Sequence, residues 1–193
     1  MIPAPLAWFV FTGLFSPGPN VILLTASGAR FGFAATLPHI LGVASGVGIT
    51  AGLTGLGLGA AITALPVLEG LLKLVAAAWI LYLAWRLWRS TSAPRAEGKG
   101  RPFTYLEAVL FQWVNPKVWA VALAASSFVA ERGAVGAGLT LAVAFSVINL
   151  GVCLFWTSAG HLLGRLLRDE ALWRRFMRVM ALAMAASAGM VFL

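Results

Sequence analysis

The sequence predicts an all-α integral membrane protein of six transmembrane helices, arranged as two inverted repeats of three, with helices 1 and 4 broken at mid-membrane. Apolar residues fall in runs as long as the ~20 residues that cross a bilayer. Two of those runs are interrupted by proline at corresponding depths, at Pro17 and Pro116, and one hydrophilic stretch divides the chain nearly in half. Composition agrees: 61% of the 193 residues are hydrophobic and 10% are charged, against about 25% charged in ordinary soluble domains. Residues 1–193 read as a single transmembrane domain, made of a three-helix repeat over 1–89, a cytoplasmic linker over 90–102 and a second repeat over 103–193.

Segment 1 spans about Ala4 to Ala29 without a charge and carries Ser16-Pro17-Gly18-Pro19-Asn20 inside it. Proline removes a backbone donor and clashes with the preceding turn, so two prolines around a glycine break the helix. Unpaired backbone in lipid costs several kcal/mol per group, which confines such a break to packed protein or a cavity. No positively charged region precedes the first apolar run, so no cleaved leader is expected.

Gly28-Ala29-Arg30-Phe31-Gly32 makes a short connection. Segment 2, about Leu37 to Leu65, holds four-spaced glycines, among them Gly42 with Gly46 and Gly48 with Gly52, a pattern that lets helix backbones approach closely. Pro66 opens segment 3, which runs to about Trp88 with Glu69 and Lys73 spaced for a helical ion pair at the interface. Segment 4, Phe103 to Val129, is broken at Asn115-Pro116-Lys117, and Glu131-Arg132-Gly133 reads as a tight turn. Segment 5 follows from Ala134 to Gly160, the basic stretch Arg165 to Arg178 is expected to lie along the interface, and segment 6 starts near Phe176.

Of the fourteen Lys and Arg residues, eleven fall in the connections after segments 1, 3 and 5. The positive-inside rule therefore puts those connections in the cytoplasm and both termini outside. Three segments per half then insert the halves in opposite senses, the inverted arrangement of many secondary transporters.

Pairs of proline-interrupted segments in corresponding halves point to a transporter site at the bilayer midplane. Pro17, Gly18, Pro19, Asn20, Asn115, Pro116, Lys117 and Asn149 are the candidate substrate-binding residues. Lys117 lies about 20 Å along its segment, too deep to reach either surface fully. An ammonium there suits the carboxylate of a bound metabolite, or else it caps carbonyls freed by the break. The Asn20 and Asn115 amides satisfy freed backbone groups or contact the ligand, and the second half of each broken helix turns its positive end toward an anion. For proton coupling Lys117 is the first candidate, since burial favours the neutral amine and a bound carboxylate restores the ammonium. Glu107 is the rival. His39 and His161 read as interfacial.

Cys153 is alone, so no disulfide or thiolate metal site forms within one chain. No Asp or Glu lies at the centre of a segment, which argues against metal transport, and no metal or cofactor is expected. No nucleophile, acid–base pair or metal cluster converges, so the chain does not read as an enzyme. The net charge of +8 sits beside the spans and serves topology and lipid contact rather than nucleic acid.

The Ser16–Asn20 run, the Gly28–Gly32 connection, Leu41-Gly42 with Gly46, Leu72-Lys73-Leu74, Leu81-Tyr82-Leu83 and Asn115-Pro116-Lys117 together resemble the lysine exporter family, the LysE/RhtB-type amino-acid exporters. Ala76, Trp79 and Ala84 depart from the small glycine, tyrosine and glycine of that pattern. The resemblance implies six membrane segments, no cofactor, and export of amino acids or related small metabolites powered by the proton gradient. The expected partners are an amino-acid substrate, most simply a neutral zwitterion, protons, membrane lipids and a second copy in a homodimer, in a bacterial inner membrane. Import, transport of another small anion, or a ligand-free structural role are the alternatives.

Overall fold

The proline breaks and glycine turns of the sequence set the ends of most elements. The computed structural model describes residues 1–89, 100–167 and 169–189. Most of the predicted linker (90–99), Arg168 of the basic stretch and the last residues of segment 6 (190–193) lie outside the described residues. Among the described residues every regular element is helical. Segment 1 is α1 (Ala4–Phe15) followed by α2 (Pro19–Phe31), and the two are bent by 60° at the break.

Segment 2 begins earlier and ends sooner than the hydropathy suggests. It is α3 (Phe33–Gly55), and a separate short helix α4 (Leu58–Thr63) follows. Gly32 at φ 86° and Gly57 at φ 104° bound α3. Both angles lie in the left-handed region that other residues enter only at a cost, so the glycines rather than the apolar run decide the ends. Segment 3 is α5 (Pro66–Trp88), with the limits read from the sequence. Segment 4 is α6 (Tyr105–Phe111), one 3-10 turn over Gln112–Val114, and α7 (Pro116–Ser126).

The expected tight turn at Glu131 to Gly133 is instead a 3-10 stretch over Ser127–Arg132, and Gly133, at φ 66°, opens α8 (Gly133–Leu166). At 34 residues α8 is about 51 Å long, well beyond a ~30 Å hydrocarbon core. The basic stretch is not a separate interfacial helix. It forms the end of α8 and the start of α9 (Glu170–Gly189), where Trp173, Met177, Ala181 and Met184 recur at helical spacing and are buried. That apolar stripe packs α9 onto α5 and α2, with Arg175 exposed and Arg178 stacked at 5.3 Å on the Trp88 ring at the end of α5.

By length and composition α3, α5 and the run Pro116–Leu166 are apolar enough to cross a membrane, and α1 with α2, bent at the break, is apolar enough to form together either one broken span or a re-entrant loop. The outer face of α5 exposes Leu71, Leu74, Val75, Trp79 and Leu81, an apolar surface suited to lipid. This is a multi-pass membrane protein.

α3 and α8 form the central pair. Backbones touch there because the contact residues are glycine: a Cβ on Gly55 would lie 2.8 Å from the Gly138 backbone, and one on Gly48 would lie 2.9 Å from the Ala142 carbonyl oxygen, while Gly42 brings α3 equally close to α6, where a Cβ would lie 2.3 Å from the Tyr105 carbonyl oxygen. The same device joins α2 to α8, where a Cβ on Gly160 would lie 2.1 Å from the Thr25 carbonyl oxygen. Lipid supplies no hydrophobic drive between helices, so this close packing is what holds them. It brings α2 and α7, the second halves of the broken helices, to the middle of the bundle against α8 and α3.

Candidate transport site at the two helix breaks

Both breaks are built alike. α2 and α7 each start on a proline at the first helical position, Pro19 and Pro116, and neither Gly18 nor Asn115 caps its helix with a side chain. Proline has no amide hydrogen to leave unpaired at that position, and the Ile22 and Val118 amides are taken by the Gly18 and Asn115 carbonyls at 3.0 and 3.1 Å. On the other side of the first break the carbonyls of Ser16 and Pro17 have left the helical ladder. Lys117 Nζ donates to the Ser16 carbonyl, to Ser16 Oγ at 2.9 Å and to the Pro17 carbonyl at 3.4 Å. A side chain from the second break therefore satisfies the backbone of the first.

Gly18 is what makes this crossing fit. Its φ of −175° is ordinary extended backbone, so no special conformation demands glycine. Space demands it: a Cβ would lie 2.8 Å from Lys117 Cδ and 3.1 Å from Nζ.

Gln112, which the sequence reading passed over, links the breaks a second time. It is fully buried in the 3-10 turn before Asn115. Asn20 Nδ2 donates to Gln112 Oε1 at 2.8 Å, Gln112 Nε2 donates to Asn20 Oδ1 at 3.2 Å, and Asn115 Nδ2 reaches the same Oε1 at 3.4 Å. The signal available was a glutamine inside an apolar run, three residues ahead of the asparagine at the break. Asn149 of α8 comes to the same place: with Asn20, Asn115 and Lys117 it lines a small cavity of about 10 Å³. Asn149 Nδ2, Asn115 Oδ1 and Trp156 Nε1 are buried there without a hydrogen-bond partner among the described residues.

On the other face of Lys117 a cavity of about 470 Å³ runs toward α4 and the start of α5. Pro17, Gly18, Pro19, Pro116 and Lys117 form its floor, and Trp113 and Trp119 form a wall, with Trp119 Nε1 donating to the Trp113 carbonyl at 3.1 Å. The Glu69–Lys73 pair, joined at 2.9 Å, lines this cavity and so stands on the path to the break as well as near a helix end. An apolar cluster including Ile22, Leu23, Ile80, Leu83 and Phe111 closes the opposite side.

The structure gathers Pro17 to Asn20, Asn115 to Lys117 and Asn149 into one place. It does not bring Glu107 there. Both Glu107 oxygens are held by Arg101, at 2.6 and 2.7 Å, and one also accepts from the Thr104 amide at 2.8 Å in a capping box at the start of α6. The carboxylate in turn holds the Arg101 guanidinium further into its charged range, by hydrogen bond first and by charge second. His39 is enclosed in protein, being 1% exposed with its ring 5.1 Å from that of Phe103.

Facing helix breaks inside an apolar bundle, bridged by a lysine and opening onto a cavity, define a membrane translocator of small solutes. The family model described as LysE type translocator matches residues 11–193, and the chain belongs to that family. It is a transporter, not an enzyme. It is 31% identical over 185 residues to the cysteine/O-acetylserine efflux proteins of Escherichia coli strains K12 and HS and of Shigella flexneri serotype 5b, covering 92% of this chain and 90% of each relative. No solved structure matches.

Proposed function

We propose that this protein exports a small neutral amino acid or a related zwitterion from the cytoplasm of a bacterium across the inner membrane, in exchange for protons. The observation that carries the reading is Lys117, held half-buried between the broken backbone of segment 1 and the 470 Å³ cavity, beside two helix starts without side-chain caps. A carboxylate that enters this cavity meets an ammonium and two positive helix ends, a complement for an anion. The Ser16 and Pro17 carbonyls are acceptors for the substrate amine once Lys117 turns from them to the carboxylate. Apolar and aromatic walls favour a short uncharged side chain, and the names of the relatives point to cysteine and O-acetylserine.

Proton exchange is assigned to Lys117. The ammonium and the substrate carboxylate stabilise each other, so loss of the substrate on the outside favours loss of the proton. Glu107, fixed by Arg101 and Thr104, is poorly placed for that exchange.

The orientation proposed is that of the positive-inside rule, with both termini outside and the 470 Å³ cavity facing outward. The repeat proposed pairs α1–α2, α3 and α5 with α6–α7, α8 and α9. Its support is the matching pair of proline starts and the self-pairing of α3 with α8 and of α5 with α9.

The test is efflux from proteoliposomes loaded with labelled O-acetylserine under an imposed pH gradient, acidic on the receiving side. Gradient-dependent efflux is expected. Efflux indifferent to the gradient removes the proton exchange, and preference for lysine or arginine removes the argument from the charge of Lys117.

A further inference from the structure

A second cavity, of about 300 Å³, lies on the far side of the apolar cluster from Lys117. Leu23 and Leu83 belong both to that cluster and to this cavity's wall, while Ala76 of the cluster borders the larger cavity, so the cluster separates the two. Arg30, Arg86, Arg89 and Arg101 line it, drawn from α2, α5 and the stretch before α6. Arg101 is matched by Glu107. Arg30, Arg86 and Arg89 have no carboxylate partner among the described residues, and Arg30 and Arg86 lie close enough to repel each other. Arg86 and Arg89 are propped on aromatic faces, 5.9 Å from the Tyr82 ring and 4.9 Å from the Trp85 ring.

The polar inner wall supplies an independent sign. His39 lines this cavity, is 1% exposed, and has neither ring nitrogen hydrogen-bonded among the described residues. A buried imidazole without a partner is costly, and native proteins seldom leave one so. Topology requires positive charge in a cytoplasmic connection, but it does not require arginines to face each other across a cavity beside an unpaired histidine.

We propose that this vestibule is an oxyanion-binding site that takes the carboxylate of the substrate on the cytoplasmic side, before the apolar cluster opens toward Lys117. Arg30 and Arg86 grip the two oxygens, and a ring N–H of His39 is a further donor. The guanidinium fork matches a carboxylate bidentately. The proposal rests on the transport reading for the identity of its ligand. An anionic lipid phosphate offers the same chemistry, so the experiment separates the two sources.

The full-length protein is reconstituted in phosphatidylcholine liposomes and treated with phenylglyoxal, an arginine reagent, and modification of Arg30 and Arg86 is read by mass spectrometry. The probes are S-methylcysteine, a neutral amino acid with an unreactive side chain, and its methyl ester, which lacks the carboxylate. The amino acid is expected to protect both arginines at concentrations at least about tenfold below its ester. Equal protection by acid and ester, or none by either, overturns the site. A second preparation contains phosphatidylglycerol: protection that appears there without the amino acid, and is not deepened by it, overturns the substrate as ligand in favour of lipid.

Arg30→Lys with Arg86→Lys keeps the charge that sets topology but loses the planar fork. This double variant is expected to raise the internal substrate concentration for half-maximal efflux about tenfold, more than it lowers the maximal rate. A fall in maximal rate alone counts against the vestibule. Protection without any efflux in the unaltered protein would fail the transport reading and leave this site standing, and efflux without protection would fail this site alone.

Discussion

Lys117 Nζ lies 2.9 Å from Ser16 Oγ, although the two residues are 101 positions apart and each sits at a break in a different apolar run. The contact ties the two halves of the chain at one point. It also explains how an ammonium is tolerated there: carbonyls freed by one break become its ligands, and the cavity supplies its access.

Removing that ammonium is the sharpest perturbation. Lys117→Ala is expected to abolish efflux while the protein still inserts and elutes as a folded species. Truncating one partner of a buried charge pair costs about 2–5 kcal/mol. At ~1.4 kcal/mol per tenfold, that is roughly a 30-fold or greater loss of affinity. Normal affinity in this variant would leave Lys117 only its backbone-capping role.

Gly18→Ala probes the crossing without touching a polar group. The new methyl would fall 2.8 Å from Lys117 Cδ, and a flexible lysine can swing aside. Stability is therefore expected to change by less than about 1 kcal/mol, while efflux falls about tenfold because the ammonium leaves its place. Equal losses of thermal stability and efflux would mean that the glycine serves packing alone.

Gln112→Leu removes the link between Asn20 and Asn115 while keeping the bulk of the side chain. Each buried amide left unsatisfied costs about 1–3 kcal/mol. A double-mutant cycle of Gln112→Ala and Asn20→Ala, read by thermal unfolding in detergent, is expected to give a coupling of about 0.5–3 kcal/mol. A coupling of zero would deny the bridge between the halves.

Two glycines of α8 should behave oppositely. A Cβ on Gly160 meets the Thr25 carbonyl oxygen at 2.1 Å, whereas one on Gly151 meets nothing within 4 Å. Gly160→Ala is expected to destabilise by about 1–3 kcal/mol or more, the range of overpacking. Gly151→Ala should be neutral or slightly stabilising through helix propensity.

Topology is tested with reporters. A fusion after Glu97 should report the cytoplasm and one after Leu193 the outside, and the reverse pattern would remove both the orientation and the inverted repeat.

The sequence by itself determined the membrane class, the two broken helices and the residues at the breaks. These properties are local: a proline cannot donate a backbone hydrogen bond, and an uncharged run of bilayer length has few other uses. The four-spaced glycines likewise announced close helix contacts before any partner was known. Tertiary structure decided who meets whom. Gln112 stood out only as a lone glutamine in an apolar run, and its role appears only when Asn20, 92 residues away, faces it. Glu107 looked as available as any acid near a helix end until Arg101 and Thr104 closed around it. The basic stretch after segment 5 looked like a surface helix because its charges are dense, but Trp173 and Met177 on one face are buried by α2 and α5. His39, placed at an interface by its position in the chain, is enclosed because Phe103 from the other half covers its ring. Breaks, lengths and charge bias follow from neighbours along the chain, whereas burial and pairing follow from helices that glycine contacts bring together across about a hundred residues.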